Sequence, residues 1–299
     1  MEERPVAVAL AGALTIAFSA ILVRLAEVSP ETAAFFRCAY ALPALGALAW
    51  WERRRLGPRP RQRLVVWAAG LCFAADLVFW HHAIADVGAG LATVLGNLQV
   101  VLVAFVAWAT LGERPEARVV AAVPVVLIGV VLISGLLEEG AYGDDPARGV
   151  LFGVLTSLAY AAFILLLRSA NPGRPAGPLF EATAVAALGG LVAGAALGTL
   201  DLVPGWPAQG WLVLLALSSQ VLGWMLISVS LPRLPAALTS ILLLAQPVAG
   251  VLLALAILGE EPSPLQVAGV TVVLIGIAVA TVRRGRRAAA GEEPATAAP

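Results

Sequence analysis

Beyond the first two residues of each long apolar stretch of this sequence, three side chains carry a full charge at neutral pH: Arg37, Asp76 and Glu181. A charge at the centre of a hydrocarbon layer costs roughly 2.5–3.5 kcal/mol on insertion scales, so each one needs a reason to be there. Asp76 is the deepest, about 18 Å into its stretch at ~1.5 Å rise per residue. A carboxylate at that depth can pass a proton or balance a cationic group on a solute. The other reading makes it the buried structural partner of Arg37, whose long side chain can span the difference in depth. Glu181 lies near the start of its own stretch. There it either joins this proton-coupling or ion-pair set or faces water at the positive end of a helix dipole.

Uncharged polar groups gather at a similar level. Asn97, Gln99, Gln220 and Gln246 all fall about 14–16 Å along their stretches. Amides both donate and accept hydrogen bonds and are cheaper to bury than charges. They can recognise a polar solute, or they can cross-link neighbouring helices. Trp80 follows Asp76 by four residues and Trp224 follows Gln220 by four, so each pair shares a helical face. An aromatic wall beside a carboxylate suits a cationic or aromatic solute, although tryptophan also serves as plain packing. Asp76, Trp80, Asn97, Gln99, Gln220, Trp224 and Gln246 are therefore the candidate solute-contacting set.

Other chemistry finds little support. The sequence has no G-x-x-x-x-G-K-[ST], H-E-x-x-H or G-x-S-x-G motif, so no catalytic residue is expected. His81 and His82 are adjacent and diverge from a regular helix, which suits hydrogen bonding near an interface better than one shared metal. Cys38 and Cys72 both lie in apolar segments. No metal or cofactor is expected.

Only a lipid-embedded scaffold suits residues of this kind. The 299 residues are 60% hydrophobic and 13% charged, about half the charge of a typical soluble domain. Ten segments are long and apolar enough to span a bilayer. They run from Val6–Val23, Ala33–Trp51, Leu64–Ala83, Gly88–Leu111 and Ala117–Leu137 to Gly149–Leu167, Leu179–Leu200, Gly210–Leu231, Pro235–Leu258 and Leu265–Val282. The expected fold is an all-α polytopic membrane protein in the inner membrane, with the lipid bilayer as its surroundings. With the N-terminus inside, every arginine except Arg24, Arg37 and Arg148 falls on the cytoplasmic side. The positive-inside rule then places both termini in the cytoplasm. Formal net charge is zero, so nothing points to nucleic acid as a partner.

The chain also repeats itself. Leu91 to Val130 align without gaps on Leu238 to Ile277 at a constant offset of 147 positions. Gln99 pairs with Gln246, Leu111-Gly112-Glu113-x-Pro115 with Leu258-Gly259-Glu260-x-Pro262, and Val126-Leu127-Ile128-Gly129 with Val273-Leu274-Ile275-Gly276. Ala17-Phe18-x-Ala20 resembles Ala159-Tyr160-x-Ala162 more weakly. Each unit holds five segments, an odd number, so the second enters the membrane from the opposite side. The expected layout is two inverted five-helix repeats over residues 6–137 and 149–282, followed by a disordered cytoplasmic tail over 283–299.

On these paired turns, on Arg37 early in the second segment and on Gln246-Pro247 in the ninth, the sequence resembles the drug/metabolite transporter superfamily, EamA type. The first copy departs from the pattern with Val100 where the second has Pro247. The resemblance implies secondary transport of a small-molecule substrate, such as amino acids, other polar metabolites or drugs, commonly outward. A channel or flippase and a membrane-embedded enzyme are the alternatives. Inverted symmetry with unlike polar residues near the midplane suits alternating access between two repeats better than a continuous pore.

Overall fold

Backbone that crosses hydrocarbon must satisfy its own N–H and C=O groups, so apolar runs of this length fold as helices. The computed structural model describes residues 3–57, 62–112, 114–170, 174–230 and 236–281. Among them every regular element is helical. The first half comprises α1 (Glu3–Ala26), α2 (Pro30–Leu56), α3 (Arg63–Val87), α4 (Ala89–Gly96), α5 (Gln99–Leu111) and α6 (Ala117–Ile133). The second comprises α7 (Pro146–Ser169), α8 (Ala176–Leu197), α9 (Ala208–Leu215), α10 (Trp224–Ser230), α11 (Ala236–Leu253) and α12 (Pro264–Thr281). Among the described residues seven helical stretches are long and apolar enough to cross a membrane, and the shorter Ala117–Ile133, Ala245–Leu258 and Pro264–Ala280 are apolar too. The protein is a multi-pass membrane protein. Its outer surface agrees: Leu127, Ile128, Leu151, Leu188, Val192, Leu252 and Ile275 all point away from the bundle.

Small residues let the helices approach. A Cβ on Gly190 would sit 3.0 Å from the backbone nitrogen of Phe35, and one on Gly194 3.0 Å from Glu31, so α8 rides closely on α2. Gly198, spaced to continue that stripe, does something else: it ends α8 in a left-handed conformation at φ +69°. Gly149 and Gly153 abut Val87 and Leu95, seating α7 on α3 and α4. The contact between α6 and α12 is reciprocal. Gly129 packs on Val273 while Gly276 packs on Val126, and these are the same two positions of the repeat. Swapped contacts of this kind are what a local two-fold relation produces.

Three departures from regular helix shape the interior of the bundle. The expected span Gly88–Leu111 is broken after Gly96 into α4 and α5. Between α9 and α10 the chain winds into a π-helical stretch, Ala216–Gly223, which contains Gln220. A second π-helical stretch, Ala254–Leu258, follows α11. π-helical turns are frequent where function needs a side chain re-aimed. Glu113, Arg59, Arg61, Arg233 and the tail 283–299 lie outside the described residues.

At the arginine-rich end, Trp50 and Trp51 are exposed, each with an arginine guanidinium 4.2 Å from its ring centre, Arg54 and Arg55 respectively. That arrangement fits anchoring at headgroup level, where an amphipathic ring faces both apolar and polar surroundings.

Candidate functional site

Seven of the helices, α1, α2, α3, α4, α7, α10 and α11, contribute to a cavity of about 80 Å³. The first half of the chain supplies Ser19, Arg37, Asp76, Trp80, Thr93 and Asn97. The second supplies Thr156, Tyr160, Trp224 and Gln246. Of the residues expected from the sequence, Asp76, Trp80, Asn97, Trp224 and Gln246 line this space, together with Arg37.

Arg37 is buried at 4% exposure, and its surroundings are built for it. Its Nε donates to Gln220 Oε1 at 3.1 Å, and Gln220 Nε2 in turn donates to the Thr183 hydroxyl at 3.3 Å. The guanidinium carbon lies 5.5 Å from the centre of the Trp80 ring. Such a cation–π contact gains when water is excluded.

Asp76 is held differently. The Thr156 hydroxyl lies 2.8 Å from its Oδ1 and 2.6 Å from its backbone carbonyl oxygen, tying α7 to α3 at the cavity wall. The structural pair between Asp76 and Arg37 does not form: no ion pair joins them within 4 Å. Gln220 and Trp80 claim the guanidinium while Thr156 claims the carboxylate, so two opposite charges share one cavity without meeting.

Gln220 is fully buried behind Arg37 and does not line the cavity; it positions the guanidinium. Gln99, the first residue of α5, is absent from the lining as well. Counting depth gives its level but not its direction, since two residues from Asn97 is over half a helical turn. Glu181 sits in a separate groove with Trp50, Arg53, Arg63 and Arg174, away from Asp76 and Arg37. Trp224 closes one wall with its ring among Phe73, Tyr160 and Phe163, at centroid distances of 6.5, 6.2 and 5.7 Å.

Ser19, Thr93, Thr156 and Tyr160 do not stand out in the sequence, because hydroxyls in apolar helices usually bond their own backbone. One signal is present. The weak internal match of Ala17-Phe18-x-Ala20 with Ala159-Tyr160-x-Ala162 brackets Ser19 and contains Tyr160, both at the cavity. Both histidines are hydrogen-bonded across helices. His81 Nδ1 bonds the Pro30 carbonyl at 3.1 Å, and His82 Nε2 lies 2.8 Å from Glu31. No group of three or more metal-binding side chains occurs among the described residues.

Comparison with known proteins agrees with this architecture. A solved structure titled only "Crystal structure of protein" superposes with a TM-score of 0.60 at 18% identity, covering 94% of this chain and 97% of that one. At that identity the likeness concerns the fold alone. No curated protein sequence matches. The profile of the EamA-like transporter family matches twice, over residues 4–135 and 147–282, once for each half that lines the cavity. The chain belongs to the EamA-like transporter family.

Proposed function

We propose that the protein is a secondary active transporter that exports small polar solutes, such as amino acids, other metabolites or drugs, by alternating access. The observation that carries this reading is the cavity shared by the two halves, with Arg37 and Asp76 left unpaired to each other and aromatic rings beside them. Leaving opposite charges apart inside a membrane protein is costly, and a solute or proton that satisfies them in turn gives that cost a use. In this reading the chain crosses the inner membrane ten times as two inverted five-helix repeats, with both termini in the cytoplasm. The reciprocal Gly129–Val273 and Gly276–Val126 contacts support the two-fold part of it.

Asp76 is the proton-coupling group, and Trp80, Asn97, Trp224 and Gln246 contact the solute. Reconstitution into proteoliposomes tests the proposal. A panel of amino acids, nucleosides, polyamines and drugs is screened for binding by thermal shift, and the hits for movement driven by a pH gradient. Movement of at least one hit, lost in Asp76→Asn, is expected. Chemical turnover of a hit by detergent-solubilised protein, with no second compartment, would sink the reading.

A further inference from the structure

One carboxylate outside the cavity does more than end a turn. Glu260 is buried at 2% exposure, although it follows the Leu258-Gly259 turn where a glutamate would ordinarily face water. Its Oε1 accepts from the Ala89 N–H at 2.6 Å and its Oε2 from the Gly90 N–H at 3.0 Å. A residue of the second repeat thus caps the first turn of α4, a half-helix of the first repeat. Both the free N–H groups and the helix dipole favour a negative charge there.

The position of α4 matters because of what each end holds. Its N-terminal end meets Glu260; Thr93, Gly96 and Asn97 at the other end line the cavity. Between the two lies a packed apolar layer. On α1, α3 and α4 the residues next along from the cavity towards Glu260 are Ile21, Ile84, Val87 and Leu91, each at 0–1% exposure. The turn at Gly88 that joins α3 to α4 is gripped from the other side as well. Asp145 donates its N–H to the Asp86 carbonyl, and Arg148 forks onto the Asp86 carboxylate at 2.5 and 2.8 Å.

We propose that Glu260 is a gate-positioning residue. Seated on the N-terminus of α4, it keeps this end of the cavity shut, and it must leave Ala89 and Gly90 for the cavity to open here. On the proposed orientation this is the outer gate. The inference rests on the transport reading only in that a gate presupposes a cavity that opens.

The test reads access, not transport, so it is independent of whether a solute is found. Cys38 and Cys72 are replaced by alanine and Ser19→Cys is installed as a reporter in the cavity. Full-length protein in oriented proteoliposomes is then labelled with a membrane-impermeant maleimide from either side. Glu260→Gln is expected to speed labelling from the Glu260 side by about tenfold or more, the factor that one lost charge-assisted hydrogen bond gives. Labelling from the other side should not rise. Should Glu260→Gln not fold, Gly90→Ala decides the matter. Its Cβ would lie 3.2 Å from Ala254 Cβ and 3.3 Å from Glu260 Oε2, wedging α4 away from an intact carboxylate. It should raise labelling from the same side. Unchanged labelling in the folded variants, or an equal rise from both sides, would overturn the proposal and leave Glu260 a structural cap.

Discussion

Two polar regions of this protein treat charge in opposite ways. Around the α3–α4 turn the two buried carboxylates are matched: Asp86 receives both arms of Arg148, and Glu260 receives two backbone N–H groups. In the cavity, Arg37 and Asp76 each hydrogen-bond a neutral neighbour, Gln220 and Thr156, and attract one another only at a distance. Matched charge fixes a geometry. Unmatched charge in a dry bundle keeps a site ready for a solute or a proton, at a cost in stability that transport can use.

The sharpest way to break this contrast is Asp76→Asn. If the cavity charge serves transport and not folding, the variant should lose pH-gradient-driven movement almost entirely, at least about a hundredfold (~2.7 kcal/mol). Its melting temperature in detergent should hold or rise, because a buried charge without an ionic partner has been removed. Retained pH-driven movement, or a collapse in melting temperature, would merge the two regions into one class.

A pair of double-mutant cycles reads the contrast directly, again by thermal melting. Asp86→Asn and Arg148→Gln should each lower the melting temperature, since either leaves the buried end of a two-armed contact unsatisfied. Combined, they should cost little more than the worse single change, the signature of coupled residues. Arg37→Gln combined with Asp76→Asn should show a smaller coupling, because those groups attract across the cavity without forming an ion pair. Strong coupling in the cavity pair would mean that the protein also populates a state in which they form one.

How far the sequence reveals this arrangement depends on which physical property is asked for. Membrane residence, the helical segments and the two copies are legible, because hydropathy and a fixed offset are one-dimensional properties. The level of the polar groups is legible for the same reason. Their azimuth is not. Gln99 and Asn97 share a level but only Asn97 reaches the cavity, and the break that separates them is marked by Gly96-Asn97 without any sign of which way the side chains then turn. The π-helical stretch over Ala216–Gly223 carries the polar run Ser218-Ser219-Gln220, but that run does not reveal that Gln220 lies behind Arg37 while Trp224 lines the cavity. In the sequence Glu260 looks like an ordinary turn residue, since a partner 171 positions away leaves no local trace.

Packing offers a smaller effect that tests whether the cavity depends on its frame. A Cβ on Gly153 would lie 2.6 Å from Leu95 Cβ, on the helix that carries Thr93 and precedes Asn97. Gly153→Ala should therefore cost about 1–3 kcal/mol by overpacking, measured by chemical denaturation in detergent. Because α7 also supplies Thr156, the shift should weaken solute binding, and Ser157, which donates to the Leu95 and Gly96 carbonyls, should transmit it. Stability lost with binding intact would show that α4 tolerates displacement there.

The smallest effect is expected at Glu181, and it separates depth from function. This carboxylate lies inside an apolar helix, as Asp76 does, but close to the start of α8 and in a groove with Arg53, Arg63 and Arg174. It is half-buried, so water and nearby guanidinium groups already stabilise its charge. Glu181→Gln should change stability by no more than about 0.5 kcal/mol, as surface substitutions usually do. The pH profile of transport should stay where it was, because Glu181 lines a groove apart from the cavity wall. A displaced profile would put a second proton-handling carboxylate on the route between the arginine-rich end and Asp76, and the contrast would then be between two stations of one path.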